Sequence, residues 1–297
     1  MVRFKVVKGS HLLLAIAALI LAAVLVFILV QELSDNTDAT VSAGAVNADA
    51  VVVAEQEEAK AQLVFASAAS DGLAIEVIAD TPEPASEVPT KSVLIYHTHT
   101  HEAYAQDPSD PYDAVETWRT TDAQHSVVRV GQALAEALVA RGYRVVYDTT
   151  DNEQDDLNSS YVRALEMLES YTEEFDLVID LHRDAYSEGL PIGLVAPDGT
   201  SCAQLMLVVG RGDNYPLEQR ANYAENLDFA QRITGEINAD FPGLCRNVTV
   251  KQGRHNQHIG AHAILVEVGH NQNTLAQALN TVPYLADAID AALKHIG

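Results

Sequence analysis

Positive charge and cysteine are both scarce in this 297-residue chain. Lys and Arg number 18 against 42 Asp and Glu, a formal net charge of −24. A surface this acidic binds phosphate backbones poorly, because they reward clustered lysine and arginine, so nucleic acid is excluded as a partner. Cys202 and Cys245 are too few for a disulfide framework or a cysteine-rich zinc site. They form either one bridge or two buried thiols. No G-x-S-x-G is present and neither cysteine sits beside a catalytic type of histidine, which disfavours covalent catalysis. Gly210-Arg211-Gly212-Asp213 lacks the glycine spacing of a phosphate loop. No internal repeat is found. What remains is 48% hydrophobic and 20% charged, enough apolar material for a sizeable core in one or two domains.

The first ninety residues read as a tether. Arg3, Lys5 and Lys8 precede 19 uncharged apolar residues from Leu12 to Val30, about the length that crosses a hydrocarbon core. Acids follow at Glu32, Asp35 and Asp38, so the charge pattern predicts a basic cytoplasmic end (1–11), an uncleaved single-pass anchor (12–30) and an extracytoplasmic remainder. A cleaved signal peptide is the alternative, but the nearest A-x-A sites, Ala43–Ala45 and Ala48–Ala50, lie well past the apolar run. From 31 to 90, twelve acids face the single Lys60, and TPEPASEVP (81–89) is proline-rich. That composition predicts a disordered acidic linker, within which Ala50 to Ala79 has room for a short helix or a membrane-proximal strand.

From 91 to 297 strands and helices alternate. SVLIY (92–96) reads as a strand buried on both faces, and Val127, Val130, Leu134 and Leu138 recur at helical spacing up to Gly142. Further strands are expected at 143–147, 176–181, 205–209 and 263–268. Helices are expected through Tyr161–Tyr171, over 218–237, and from Thr274 to the end with a break at Pro283. This predicts a single three-layer α/β domain, with a mainly parallel or mixed sheet and helices on both faces. Sites in such sheets lie beyond the carboxyl ends of the strands, here after Tyr96, Leu181 and Val266.

Those three places carry the chemistry. After the first comes His97-Thr98-His99-Thr100-His101-Glu102, imidazoles and a carboxylate of the kind zinc takes; the bland reading is an exposed histidine-rich loop. After the second come His182, Arg183 and Asp184, and Asp180 or Asp184 is placed to hold the second ring nitrogen of a ligand. The third is Glu267 within AILVEVG. A glutamate in an apolar strand is either paired, with Arg183 or Arg254, or is a general base whose pKa burial raises. Asp148 and Asp151 lie in an acidic stretch that reads as a solvated loop. His255, His258, His262 and His270 surround the last strand as candidate cleft residues.

Taken together, YHTHTHEAY (96–104), SSYVRALE (159–166), VIDLHRDA (178–185), HNQ (255–257) and ILVEVGHNQNT (264–274) resemble stage II sporulation protein P, from Ser92 to the C-terminus. The resemblance implies a membrane-anchored zinc N-acetylmuramoyl-L-alanine amidase of endospore-forming bacteria, acting on septal peptidoglycan during engulfment. It also implies some endopeptidase action on crosslinks, with stage II sporulation proteins D and M as partners at the sporulation septum. By position it assigns His97, His99, Glu102 and Tyr104 to the first family motif, His182, Arg183 and Asp184 to the second, and Glu267 and Gly269 to the third. Departures at His101 and His270 mean that not every histidine is a ligand. Whether His97 or His99 is the first ligand stays open, with His99 preferred for its H-x-x-E spacing.

The resulting expectation is metal-assisted amide hydrolysis. Zinc is held by His99, Glu102 and His182, Glu267 is the proton carrier, and Arg183 or His97 stabilises the oxyanion. The rival readings are a zinc carboxypeptidase-like peptidase and an inactive peptidoglycan-binding scaffold.

Overall fold

The computed structural model describes residues 63–66 and 91–296, apart from 155, 217–219, 221 and 261. Nine strands occur in this part: β1 Leu63–Ala66, β2 Ser92–Tyr96, β3 Arg144–Asp148, β4 Leu177–Asp184, β5 Leu194–Val195, β6 Ser201–Cys202, β7 Leu205–Gly210, β8 Thr249–Lys251 and β9 Ala263–His270. The α-helices described are α1 Val127–Val139, α2 Ser160–Glu169, α3 Tyr223–Asp240 and α4 Leu275–His295.

Seven strands form one sheet in the order β1-β3-β2-β4-β9-β7-β8. Pairing is parallel from β1 to β9, antiparallel between β9 and β7, and parallel again to β8, so the sheet is mixed. Alternation along each strand divides the core. Val93, Ile95, Leu177, Ile179, Leu181, Ile264, Val266 and Val268 pack with α1, α3 and α4 on one face. Leu94, Tyr96, Val146, Val178 and Ala263 pack with Ala164, Met167 and Leu168 of α2 on the other. The expected three-layer α/β domain is therefore present, with its helices shared three to one.

Local chemistry explains where helices begin. The Ser126 hydroxyl accepts the Val128 amide at the head of α1, and Thr274 and Gln277 form a capping box at the head of α4. Several sequence expectations change. Pro283 lies inside an unbroken α4, where the buried Val282, Leu285, Ala286 and Ile289 outweigh the one hydrogen bond that proline removes. The helix expected from residue 218 begins its described turns at Tyr223. Within the linker, residues 63–66 form the edge strand β1 on β3, the strand rather than the helix for which 50–79 has room. Cys202 and Cys245 are free and buried, which decides between bridge and thiols.

The membrane-anchored architecture also needs correction. Among the described residues no helix is long and apolar enough to cross a membrane. The longest, α4, presents Asp287, Asp290 and Lys294 opposite its buried stripe, as an amphipathic helix docked on a core does. The anchor expected over 12–30 lies outside the described residues. The single-pass topology, the membrane as a partner and the extracytoplasmic septal location that followed from it have no support among the described residues.

Candidate active site

The carboxyl ends of β2, β4 and β9 lie side by side because those strands are consecutive in the sheet and parallel. On the face that α2 covers, alternation carries Val178, Asp180 and His182 outward in turn from β4. His182 pairs in register with Glu267 of β9. Glu102 arrives from the turn after β2, with Oε2 3.3 Å from His182 Nδ1. His99 presents its ring edge-on to His182, with centroids 5.3 Å apart. The structure thus gathers His99, Glu102, His182 and Glu267.

His97 is not part of that gathering. It is fully buried on the opposite side, with Nδ1 2.7 Å from the Leu181 carbonyl and Nε2 3.0 Å from the Tyr147 hydroxyl. Burial lowers its pKa to about 4. Both ring nitrogens are engaged, so His97 has no free donor for an oxyanion. Arg183 is engaged as well: its backbone N–H donates to Glu102 Oε2 at 3.0 Å. Its guanidinium donates to the Ala103 and Trp118 carbonyls at 3.0 and 3.1 Å and lies 3.7 Å from Glu102 Oε1. Through these contacts it is a strut that fixes Glu102. With Arg183 so engaged, it does not pair with Glu267, whose Oε2 is buried without a hydrogen-bond partner.

The electrostatics separate the members. For His182, burial alone lowers the pKa, but the carboxylates of Asp180 and Glu102 outweigh it and hold the ring well above the usual histidine range. Glu102 is the mirror case: burial raises it, yet His182 and Arg183 draw it down to about 2. His99 is held near 4 by burial and by the neighbouring His182, so it is neutral with a lone pair to offer. Glu267 is pushed up to about 8 by burial, reinforced by Glu102 and Asp184.

Asp180 ties the site together. Its Oδ1 accepts the Thr98 amide at 2.8 Å and its Oδ2 accepts the Thr98 hydroxyl at 2.7 Å, while His182 Nε2 lies 2.9 Å from Oδ1. Of the two acids considered for that place, Asp184 is directed elsewhere, to Arg246 at 2.6 Å. The stretch after β3 is the solvated loop expected only in part, since Asp151 is exposed but Asp148 is buried. Asp151 accepts from Thr100 at 2.6 Å and lies 3.1 Å from His101 Nε2, and Asn152 and Glu153 are buried. Glu153 pairs with Arg119 and lies 3.3 Å from His101 Nδ1, so His101 is a structural clamp.

Among the candidate cleft histidines, His255 lies beside Tyr161, with Nδ1 3.1 Å from the hydroxyl, and the Tyr161 ring in turn packs on His99. His262 and His270 face the Asp176 and Pro191 carbonyls instead. Among the described residues no group of three or more His, Cys, Asp and Glu side chains is set out to hold a metal ion. The donor types nevertheless suit zinc: two imidazoles and a carboxylate, with His99 Nδ1 buried and lacking a hydrogen-bond partner. The 2.9 Å approach of His182 Nε2 to Asp180 is close enough for strong attraction, though its alignment is not that of a hydrogen bond.

A family model described as stage II sporulation protein P matches residues 30–290. The chain belongs to this family. Among curated proteins none matches. Solved structures similar to it include the N-acetylmuramyl-L-alanine amidase of Mycobacterium abscessus in its apo form, 16% identical over 69% of this chain and 97% of that one, with a TM-score of 0.40. The N-acetylmuramoyl-L-alanine amidase of Clostridium difficile 630 is 13% identical over 70% of this chain and 99% of its own, TM-score 0.40. The CwlD amidase of Clostridioides difficile, solved with the GerS lipoprotein, is 11% identical over 69% and 97%, TM-score 0.44.

Sequence reasoning took Tyr161 for a core residue of the α2 stripe and gave Thr98, Arg119 and Glu153 no role. The signal for Tyr161 was its place in SSYVRALE, one of the stretches that carried the resemblance. Nothing local marks the other three, because their partners are about 30 to 80 residues away along the chain.

Proposed function

We propose that this member of the stage II sporulation protein P family is a zinc-dependent peptidoglycan amidase, hydrolysing the amide between the lactyl group of N-acetylmuramic acid and L-alanine. One observation carries the reading. A glutamate with a pKa near 8 and an unpartnered buried oxygen stands beside a compact set of zinc-type donors at the ends of three neighbouring strands.

His99, Glu102 and His182 are the residues that would hold the metal, and zinc bound there supplies an acidified water and a polarised scissile carbonyl. The rest is work for the chain. Asp180 steadies His182 and the β2 exit together, and Arg183 keeps Glu102 facing the same point. Glu267 accepts the proton of the attacking water and returns it to the departing amine, a task that favours a pKa close to the working pH.

The carboxypeptidase reading calls for a free cation to seat a terminal carboxylate. Arg119 and Arg183, which flank Glu102, are held by Glu153 and by the Glu102–Ala103–Trp118 contacts. An inactive scaffold leaves the unpartnered oxygen of Glu267 without a purpose. Mass spectrometry of muropeptides released by the full-length protein, with and without chelator, tests the proposal. Loss of L-alanine-terminated peptides on chelation and their return with zinc is expected; undiminished release from metal-free protein refutes it.

A further inference from the structure

The segment from Gln106 to Trp118 is exposed along nearly its whole length, and it ends at the site. Trp118 has φ +58, a left-handed conformation that bulky side chains avoid. It is held there from the reactive side: its carbonyl accepts the Ala103 amide at 2.9 Å and the Arg183 guanidinium at 3.1 Å, the two residues that flank and fix Glu102. The backbone of Arg119, next in sequence, pairs antiparallel with that of Glu102 itself. The tryptophan is 37% exposed, and Val115 in the same tip is 58% exposed. Strain of this kind persists where surrounding contacts over-determine it, and here it leaves part of an indole open to solvent.

We infer that Trp118 is a substrate platform at the lip of the site, on which a neutral pyranose ring of the glycan strand stacks. Charge selects the sugar over the stem peptide. Asp107, Asp110, Asp113 and Glu116 are exposed on the same segment, and they repel peptide carboxylates while leaving an uncharged N-acetylated sugar unaffected. An indole offers such a ring a broad apolar face and an N–H donor together. The inference rests on the amidase reading for its choice of substrate, and it adds the part of the substrate that this chain grips beside the scissile bond.

The chain contains a single tryptophan, so its fluorescence reports on this position alone. Titration of the full-length protein with a soluble N-acetylglucosamine tetramer should give a saturable change in emission, and a free stem tetrapeptide should give none. In Trp118→Gly, kcat/KM on soluble glycan–peptide chains should fall about two- to tenfold, mostly through KM, with partial rescue in Trp118→Phe. Its melting temperature should hold or rise, because glycine adopts the left-handed conformation without strain. No emission change with the tetramer, a change with the peptide instead, or a marked fall in melting temperature overturns the inference. If the tetramer response appears but no amide is cleaved, the platform stands and the amidase reading fails.

Discussion

Replacing Glu267 by glutamine separates the cost of a buried acid from its use. Burial raises the Glu267 pKa from 4.5 to about 8, so between those values the folded protein keeps a proton that the unfolded chain has released. Stability from this group is therefore full below pH 4.5 and is lost as pH rises to about 8. The slope is about 1.4 kcal/mol per pH unit, which makes the loss at most roughly 3 kcal/mol at pH 7. Glu267 is only half-buried as a residue, so solvent screening reduces that to about 1–2 kcal/mol. Glu267→Gln removes the penalty and leaves the shape. In metal-free protein its melting temperature should exceed that of the parent by roughly 2–6 °C at pH 8 and should match it at pH 4. In zinc-loaded protein, bound metal should stay stoichiometric while turnover falls on the order of 10² to 10⁴. Calorimetry across pH, metal analysis and muropeptide release are the three measurements. A variant that is no more stable at pH 8, or that keeps turnover, refutes the assignment of Glu267. A variant that releases zinc makes Glu267 a ligand and displaces Glu102 from that role.

Other substitutions test the rest of the site. His182→Ala should lose metal and activity together, since two remaining protein ligands hold zinc poorly; metal analysis after dialysis decides it. Asp180→Asn keeps the size of the group that steadies His182 and Thr98 but removes its charge, so zinc affinity measured by chelator competition should fall about 10- to 100-fold. Gly131→Ala would bring a methyl to 2.6 Å from His97 Nε2 and 2.9 Å from the Tyr147 hydroxyl. It should destabilise the fold by about 1–3 kcal/mol, read by denaturant unfolding, as overpacking does.

Much of the frame was legible residue by residue. SVLIY is a strand because an apolar run of that length buried on both faces suits a central parallel strand, and it occupies 92–96 as read. Val127–Val139 was legible from its period of 3.6 and its closing glycine, and parallel alternation pointed to the ends of β2, β4 and β9. Less legible were β1, β8 and the β5–β6 hairpin, which are four residues or fewer and owe their form to a neighbouring strand. Pro283 marked a break that packing overrode.

What the sequence by itself determined is which residue types stand at the three strand ends, because periodicity and apolar run length are local properties of the chain. The tertiary structure alone decided what each of them touches. His97 and His99 are two positions apart and chemically identical, yet one ring meets the Leu181 carbonyl and Tyr147 while the other faces His182 with a free nitrogen. Asp180 and Asp184 were equal candidates until β4 brought one beside His182 and a remote arginine claimed the other. Apart from His182, which stands next but one to Asp180, those partners lie some 50 to 80 residues away, and a hydrogen bond or a pKa is set by what comes within a few ångströms, which only the folded chain brings about.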